Sequence, residues 1–264
     1  MASSLKITRK EGIGRVALAR PDVHNAFDDR LIVELTEALR ALEDDSRVRI
    51  VVLTGEGASF SAGADLGWMR RMAQASEKEN RKDARQLAKL MRTLDHLDKP
   101  TIARVNGAAF GGGVGLIACC DIAIGVEGAR FGLTEARLGL VPAVISPYVI
   151  DAIGARQARH RFLTAEIFDA AEAMRIGLLH RCVPEKQLDA AVQVEIERLR
   201  AVGPVAVMEA KRLVHRISKP DAKTRRSVDE ENADLIARLR VSAEGQEGLN
   251  AFLGKRRPNW AGKA

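Results

Sequence analysis

Twice in this chain a short β-branched run leads through small residues into the start of a helix. The first run is Val48-Arg49-Ile50-Val51-Val52-Leu53, followed after a loop by Ser61-Ala62-Gly63-Ala64-Asp65-Leu66. The second is Thr101-Ile102-Ala103-Arg104-Val105, followed by Asn106-Gly107-Ala108-Ala109-Phe110-Gly111-Gly112-Gly113-Val114-Gly115. Strands that alternate with helices in this way predict a parallel α/β layer. Free N–H groups at a helix start point outward and carry partial positive charge. Small residues let a ligand approach that backbone closely. Two such starts side by side could donate two hydrogen bonds to one oxygen, forming an oxyanion hole. Either stretch alone fits tight packing of helix on sheet equally well; two after successive strands point to chemistry.

Elsewhere, residues 13–19 read as a strand. Leu31, Leu35, Leu39 and Leu42 repeat at helical spacing behind Asp28, a predicted N-cap. Leu87, Leu90, Met91, Leu94 and Leu97 line a second long helix, ended by Lys99-Pro100. A short helix and a strand at 121–125 follow. Beyond about residue 145 the spacing predicts helices over 155–163, 169–175, 184–201, 204–218, 222–240 and 242–252, with one strand near 179–182. No linker and no internal repeat is visible.

The chain has 264 residues, 46% hydrophobic and only 4% aromatic, so its core rests on Leu, Ile, Val and Ala. The formal charge is +7, with scattered basic residues. That suits a phosphorylated small ligand at least as well as nucleic acid, because the basic runs lack the interleaved aromatics of single-strand platforms. Three cysteines without a CxxC pair, no leader-like start and no long apolar span predict a cytoplasmic protein without a membrane segment. Cys119 and Cys120 read as core residues. Five histidines without paired spacing predict no metal site.

Gly113-Val114-Gly115-Leu116-Ile117-Ala118 fits a GxGxxA dinucleotide pattern, with Glu135 about twenty residues on. The context argues against it, since several residues separate the strand end at Val105 from Gly113, and Cys119-Cys120-Asp121 cuts the helix short. A P-loop is excluded, because no Gly-Lys-Ser/Thr follows.

The two stretches resemble the signatures of the enoyl-CoA hydratase/isomerase, or crotonase, superfamily. The resemblance takes in Arg20-Pro21, His24-Asn25-Ala26-Phe27, Phe60 to Leu66, Asn106 to Asp121, Phe131-Gly132-Leu133-Thr134-Glu135, Gly139-Leu140-Val141-Pro142, Phe252-Leu253 and Lys255-Arg256-Arg257-Pro258-Asn259-Trp260. It implies an α/β crotonase spiral of repeated strand-strand-helix (ββα) turns, the ClpP-like fold. The spiral core would span residues 1–195, with a helical oligomerisation region over 196–264 and assembly into a homotrimer or homohexamer. Coenzyme A would enter as part of the acyl-CoA substrate, with no separate cofactor.

By the same resemblance the amides of Ala64 and Gly112 form the oxyanion hole and Glu135 moves the proton. Asn25, Ala26, Ala62, Gly63, Asp65, Leu66, Gly111, Gly115 and Pro142 fall to substrate binding, and Phe252 and Lys255 to a segment closing over CoA. Hydratases of this family with two glutamates carry one of them where this chain has Gly115. The segments Ala62 to Met72 and Leu140 to Tyr148 resemble methylglutaconyl-CoA and related branched glutaconyl-CoA hydratases, which act in leucine or acyclic terpene breakdown. A substrate with a second carboxylate calls for a pocket cation. Arg70 and Arg71 are candidates, although each taken alone reads as solvent-facing. Ala143 and Val144 stand where dienoyl-CoA isomerases carry an Asp. The expected activity is hydration of a branched enoyl-CoA; the alternatives are an enoyl-CoA isomerase using one glutamate, and an RNA-binding member of the superfamily.

Overall fold

The structure is a computed structural model that describes residues 4–218 and 222–260; side chains 222–225 are outside the described set. β1 (Leu5–Lys10) turns at Glu11-Gly12 into β2 (Ile13–Leu18), an antiparallel hairpin. α1 (Asp29–Asp44) follows, and the Asp28 carboxylate accepts the Leu31 N–H at 2.8 Å as N-cap. Its buried stripe of Leu31, Leu35, Leu39 and Leu42 has the spacing seen in the sequence. Each leucine contributes about 1.5–3 kcal/mol by burial.

Thereafter the chain repeats one turn. β3 (Ile50–Gly55) is followed by β4 (Ser59–Ser61) and the helices α2 (Leu66–Gln74) and α3 (Glu77–Asp95). β5 (Thr101–Val105) is followed by β6 (Ala108–Phe110) and α4 (Gly112–Cys119). β7 (Ile122–Val126) is followed by β8 (Arg130–Gly132), a 3-10 turn at Glu135–Leu138 and α5 (Ser146–Thr164). The first strand of each turn joins a six-stranded sheet in the order β1-β2-β3-β5-β7-β10, parallel from β2 onward. The second joins a four-stranded sheet, β4-β6-β8-β9, in which β9 (Ile167–Asp169) runs antiparallel to β8. This is the ββα spiral that the resemblance implied.

β9 leads into α6 (Ala170–Arg175), then β10 (Arg181–Val183) and α7 (Leu188–Arg200). Residue 195 lies inside α7. α8 (Pro204–Ser218) matches its expected span and buries no residue; the ion pairs Lys211–Asp121 at 2.8 Å and Arg212–Asp98 hold it to the spiral. α9 (Ala222–Val241) and α10 (Ala243–Leu253) return to the spiral: Ala233, Ile236 and Leu249 share a buried cluster with Met69, Ala84, Ala88, Leu140 and Val144.

Five of these strands were not separately visible in the sequence, β1 among them. β4, β6, β8 and β9 have three residues each, too few to display alternation. α5 begins at Ser146, well before the expected 155, because Pro147 occupies its first turn, where a missing N–H costs nothing. Gly154, at φ 76° and ψ 151°, then breaks the helical path, and the sequence expectation registered only the part beyond it.

Candidate active site

One loop and two helix starts converge. Arg20 ties them together: its guanidinium bonds the Ala26 carbonyl at 2.7 Å, Asp28 at 2.9 Å and Asp65 at 3.2 Å. Asn25 is fully buried with φ 56°. Its side chain accepts the Arg20 N–H and donates to the carbonyls of Glu56 and Ser59. The segment 62–65 is pinned to this loop by Ala62 N–H to His24, Phe27 N–H to Gly63 and Asp65 N–H to the Phe27 carbonyl. The Gly63 N–H turns to the Ser61 hydroxyl at 3.3 Å. The N–H of Ala64 is left without a partner among the described residues.

The Gly112 N–H opens α4, before the first helical bond from Gly115 to the Gly111 carbonyl, and it too has no partner among the described residues. Gly111 reaches this start through φ 48° and ψ −118°, a conformation that favours glycine. A Cβ at Gly111 would also lie 3.1 Å from Oε1 of Glu135. Backbone and carboxyl therefore meet at the lip of the helix.

Glu135 begins the 3-10 turn after β8. Burial pushes its carboxyl from an ordinary 4.5 up to about 7, opposed only by a backbone hydrogen bond within the residue. Its Oε2 is buried without a hydrogen-bond partner. Glu135 itself lines a cavity, and a value near neutrality suits both taking and giving a proton.

The cavity beside it measures about 390 Å³. Ala62, Gly63, Ala64, Gly111, Gly112, Glu135, Pro142 and Phe252 line it, so these expected site residues come together. Asn25, Ala26, Asp65, Leu66, Gly115 and Lys255 are not in its wall. Asn25 and Asp65 hold the scaffold instead, Asp65 as N-cap of α2 to Gly67 and Trp68. Ala26 is buried, Leu66 and Lys255 are exposed. Arg70 and Arg71 are exposed and absent from the wall as well; Arg71 pairs with Asp29 at 2.7 Å. Gly115 is buried on α4, where a Cβ would stand 2.4 Å from Cγ2 of Ile145 and 3.3 Å from Cε of Met91. The space a side chain at 115 would need is filled by those two apolar groups.

Several lining residues were not assigned to the site from the sequence: Phe27, Trp68, Met69 and Met72, which lie within the motifs quoted above, Ile236 and Arg240 on α9, and Leu249 on α10. The helical spacing that sets Met69 and Leu87 on inward faces was a usable signal; the return of α9 onto α3 was not, since nothing local encodes it. Among the described residues, Asp95, His96 and His215 place ligand atoms within 4.8 Å of one another, none of them in the cavity wall. His215 is too distant in sequence for spacing to have revealed this group. Burial pushes the Cys120 thiol up to about 12, and Cys119 is buried beside it, as core residues.

Comparison with known proteins decides the lineage. Residues 8–263 match the family described as enoyl-CoA hydratase/isomerase. The chain belongs to that family. It is an enzyme of the hydro-lyase kind found there. Among similar solved structures is an enoyl-CoA hydratase from Shewanella pealeana, 46% identical, covering 97% of this chain and 96% of that one, with a TM-score of 0.79. The crotonyl-CoA hydratase of Syntrophomonas wolfei is 31% identical over 97% of each chain. The 2,3-dehydroadipyl-CoA hydratase of Escherichia coli K12 is 31% identical over 99% of this chain and 100% of that one. Among the described residues no helix is long and apolar enough to cross a membrane.

Proposed function

We propose that this enzyme adds water across the C2=C3 double bond of a short, branched α,β-unsaturated acyl-CoA such as 3-methylglutaconyl-CoA, with Glu135 as its single acid-base group. The observation that carries the reading is the buried, unpartnered Glu135 carboxyl beside two uncommitted N–H groups. The thioester oxygen accepts hydrogen bonds from Ala64 and Gly112. Ionised Glu135 takes a proton from water as the water oxygen bonds to C3. The π electrons move onto the thioester oxygen as an enolate, held by both amides. Protonated Glu135 then delivers its proton to C2, giving the 3-hydroxyacyl-CoA and restoring the carboxylate. Each amide contributes about 3 kcal/mol to the enolate-like state.

The branched, dicarboxylic preference is supported by the segments Ala62 to Met72 and Leu140 to Tyr148, and by the relative named for 2,3-dehydroadipyl-CoA, itself a dicarboxylic acyl group. The exposed apolar residues Val205, Leu213, Val214 and Ile217 on α8 support assembly of copies into a trimer or hexamer, checked by light scattering. The assay for the activity is loss of the conjugated-enoyl ultraviolet absorbance with 3-methylglutaconyl-CoA and crotonyl-CoA, beside Glu135→Gln. Turnover that the variant lacks supports the reading; inactivity on both substrates removes it. One observation favours a second reading: with Ile145 and Met91 filling the space at Gly115, one carboxylate suits an enoyl-CoA isomerase, which needs no more. Double-bond migration without water uptake in the product identifies that outcome.

A further inference from the structure

Three charged residues line the cavity: Glu135, Arg137 and Arg240. Apart from Thr134, the remaining wall is apolar side chains and glycine. The two arginines are in opposite situations. Arg240 is committed, 3.1 Å from Asp83, 3.3 Å from Asn80 and stacked 5.2 Å over the Trp68 ring. The guanidinium of Arg137 has no hydrogen bond or ion pair with any described residue; only its backbone N–H is used, donating to the Thr134 carbonyl at 3.1 Å. Arg137 is thus a solvent-exposed positive charge without a counter-charge among the described residues, at the rim of a largely apolar cavity.

Its footing is firm. The 3-10 turn that carries it is pressed against α10, where a Cβ on Gly248 would fall 2.3 Å from the Leu138 carbonyl oxygen and one on Gly139 would fall 2.7 Å from that of Glu244. Backbones in such contact cannot shift independently. In a 3-10 turn, residues two apart project in different directions, so Arg137 does not follow Glu135 toward Gly111. Burial and a backbone hydrogen bond are the influences on the Glu135 carboxyl; Arg137 is not among them. The guanidinium is therefore not the partner of the reacting carboxyl, and it serves a different part of whatever fills the cavity.

We infer that Arg137 is a specificity-determining residue that binds a free carboxylate on the acyl chain, so that the cavity takes dicarboxylic acyl-CoA thioesters in preference to monocarboxylic ones. This rests on the acyl-CoA reading of the cavity and names the residue that selects within it. A planar guanidinium meets a carboxylate through two parallel hydrogen bonds, a geometry an acyl-chain carboxylate can match at the exposed rim of the cavity. The ordinary enoyl group lacks any partner for this charge.

The test is calorimetric binding of glutaryl-CoA and butyryl-CoA, saturated thioesters of similar length that need no turnover, to the wild type, Arg137→Met and Arg137→Lys. The wild type is expected to bind glutaryl-CoA about two- to fivefold more tightly, the upper range for an ion pair at an exposed guanidinium. Arg137→Met is expected to erase that preference while leaving butyryl-CoA binding unchanged, and Arg137→Lys to restore part of it. Because the side chain is exposed and unpartnered, both variants are expected to melt with the wild type. Equal weakening toward both thioesters would instead assign the guanidinium to a CoA phosphate and overturn the inference, as would no glutaryl preference in the wild type. A glutaryl preference without any hydration of the matching enoyl-CoA would remove the proposed reaction and leave this assignment standing.

Discussion

Replacing Glu135 by glutamine separates what the buried carboxyl does for the reaction from what it does to the fold. Its value rises from 4.5 in an ordinary setting to about 7 in the folded chain. At about 1.36 kcal/mol for each tenfold change in proton affinity, that difference corresponds to roughly 3 kcal/mol. The sign follows from linkage. The folded state holds this proton more tightly than the unfolded state, so the proton stabilises the fold. That stabilisation is fully present below about 4.5 and is lost as pH rises through about 7. Glutamine carries no such proton. Glu135→Gln should therefore melt like the wild type at pH 4.5 and above it at pH 8, by roughly 6 °C at equal protein concentration. Other titrating groups are common to both proteins and drop out of the difference. In the wild type, kcat/KM should rise with pH and reach half its plateau near 7, with about a tenth of the carboxyl ionised at pH 6. The variant should lose about a hundred- to ten-thousandfold in kcat. A melting difference that does not change with pH, or a rate profile already flat above pH 5, would refute the placement of Glu135 in a dry site.

Exchanging the Ala64 amide for an ester, which removes only the N–H, should lower kcat about a hundred- to a thousandfold with little change in thioester binding, read by stopped-flow against the all-amide enzyme. Asn25→Ala strips the partner from the Arg20 N–H and two carbonyls at once and should destabilise the fold by more than about 2 kcal/mol in urea titration. Leu39→Ala, on the fully buried stripe of α1, should cost about 2–5 kcal/mol by the same measurement while kcat stays near wild type.

What the sequence made legible follows physical rules about range. α1, α3 and α8 announce themselves because a helix repeats its apolar face over many residues, and Asp28 caps α1 as its position suggested. The oxyanion amides were legible for a related reason: a strand, a run of small residues and a helix start are contiguous, so the geometry of Ala64 and Gly112 is nearly local. The opposite holds for the wall. Nothing in the sequence singled out Arg137, which reaches the rim of the cavity only because the 3-10 turn packs against α10, and Arg70 and Arg71, beside the oxyanion segment in sequence, turn outward on α2. The motif assigned the backbone around Asn25 to the CoA groove; the structure adds that its side chain holds the loop in place through the carbonyls of Glu56 and Ser59. A motif identifies the neighbourhood; it does not say which of its members face the ligand.

The glycine at 115 ties the chemistry to packing. Two carboxylates facing one dry cavity repel, and at least one of them titrates well above its solitary value. Here burial alone carries Glu135 to about 7, so a lone carboxylate is already half ionised at neutral pH, able to accept a proton from water and still acidic enough to return it. A second carboxylate cannot simply be added. Gly115→Glu drives a Cβ to 2.4 Å from Ile145, an overpacking expected to cost about 1–3 kcal/mol before the buried charge is counted. Ile145 also lines the cavity, so Ile145→Gly opens the same space toward Glu135. The double variant Gly115→Glu/Ile145→Gly should fold better than Gly115→Glu alone, and its rate profile should reach half its plateau above pH 7, because the new carboxylate holds the proton on Glu135 longer. If that midpoint stays at 7 in a well-folded double variant, the side chain at 115 does not face Glu135, and the absence of a second carboxylate there does not explain how this site works with one.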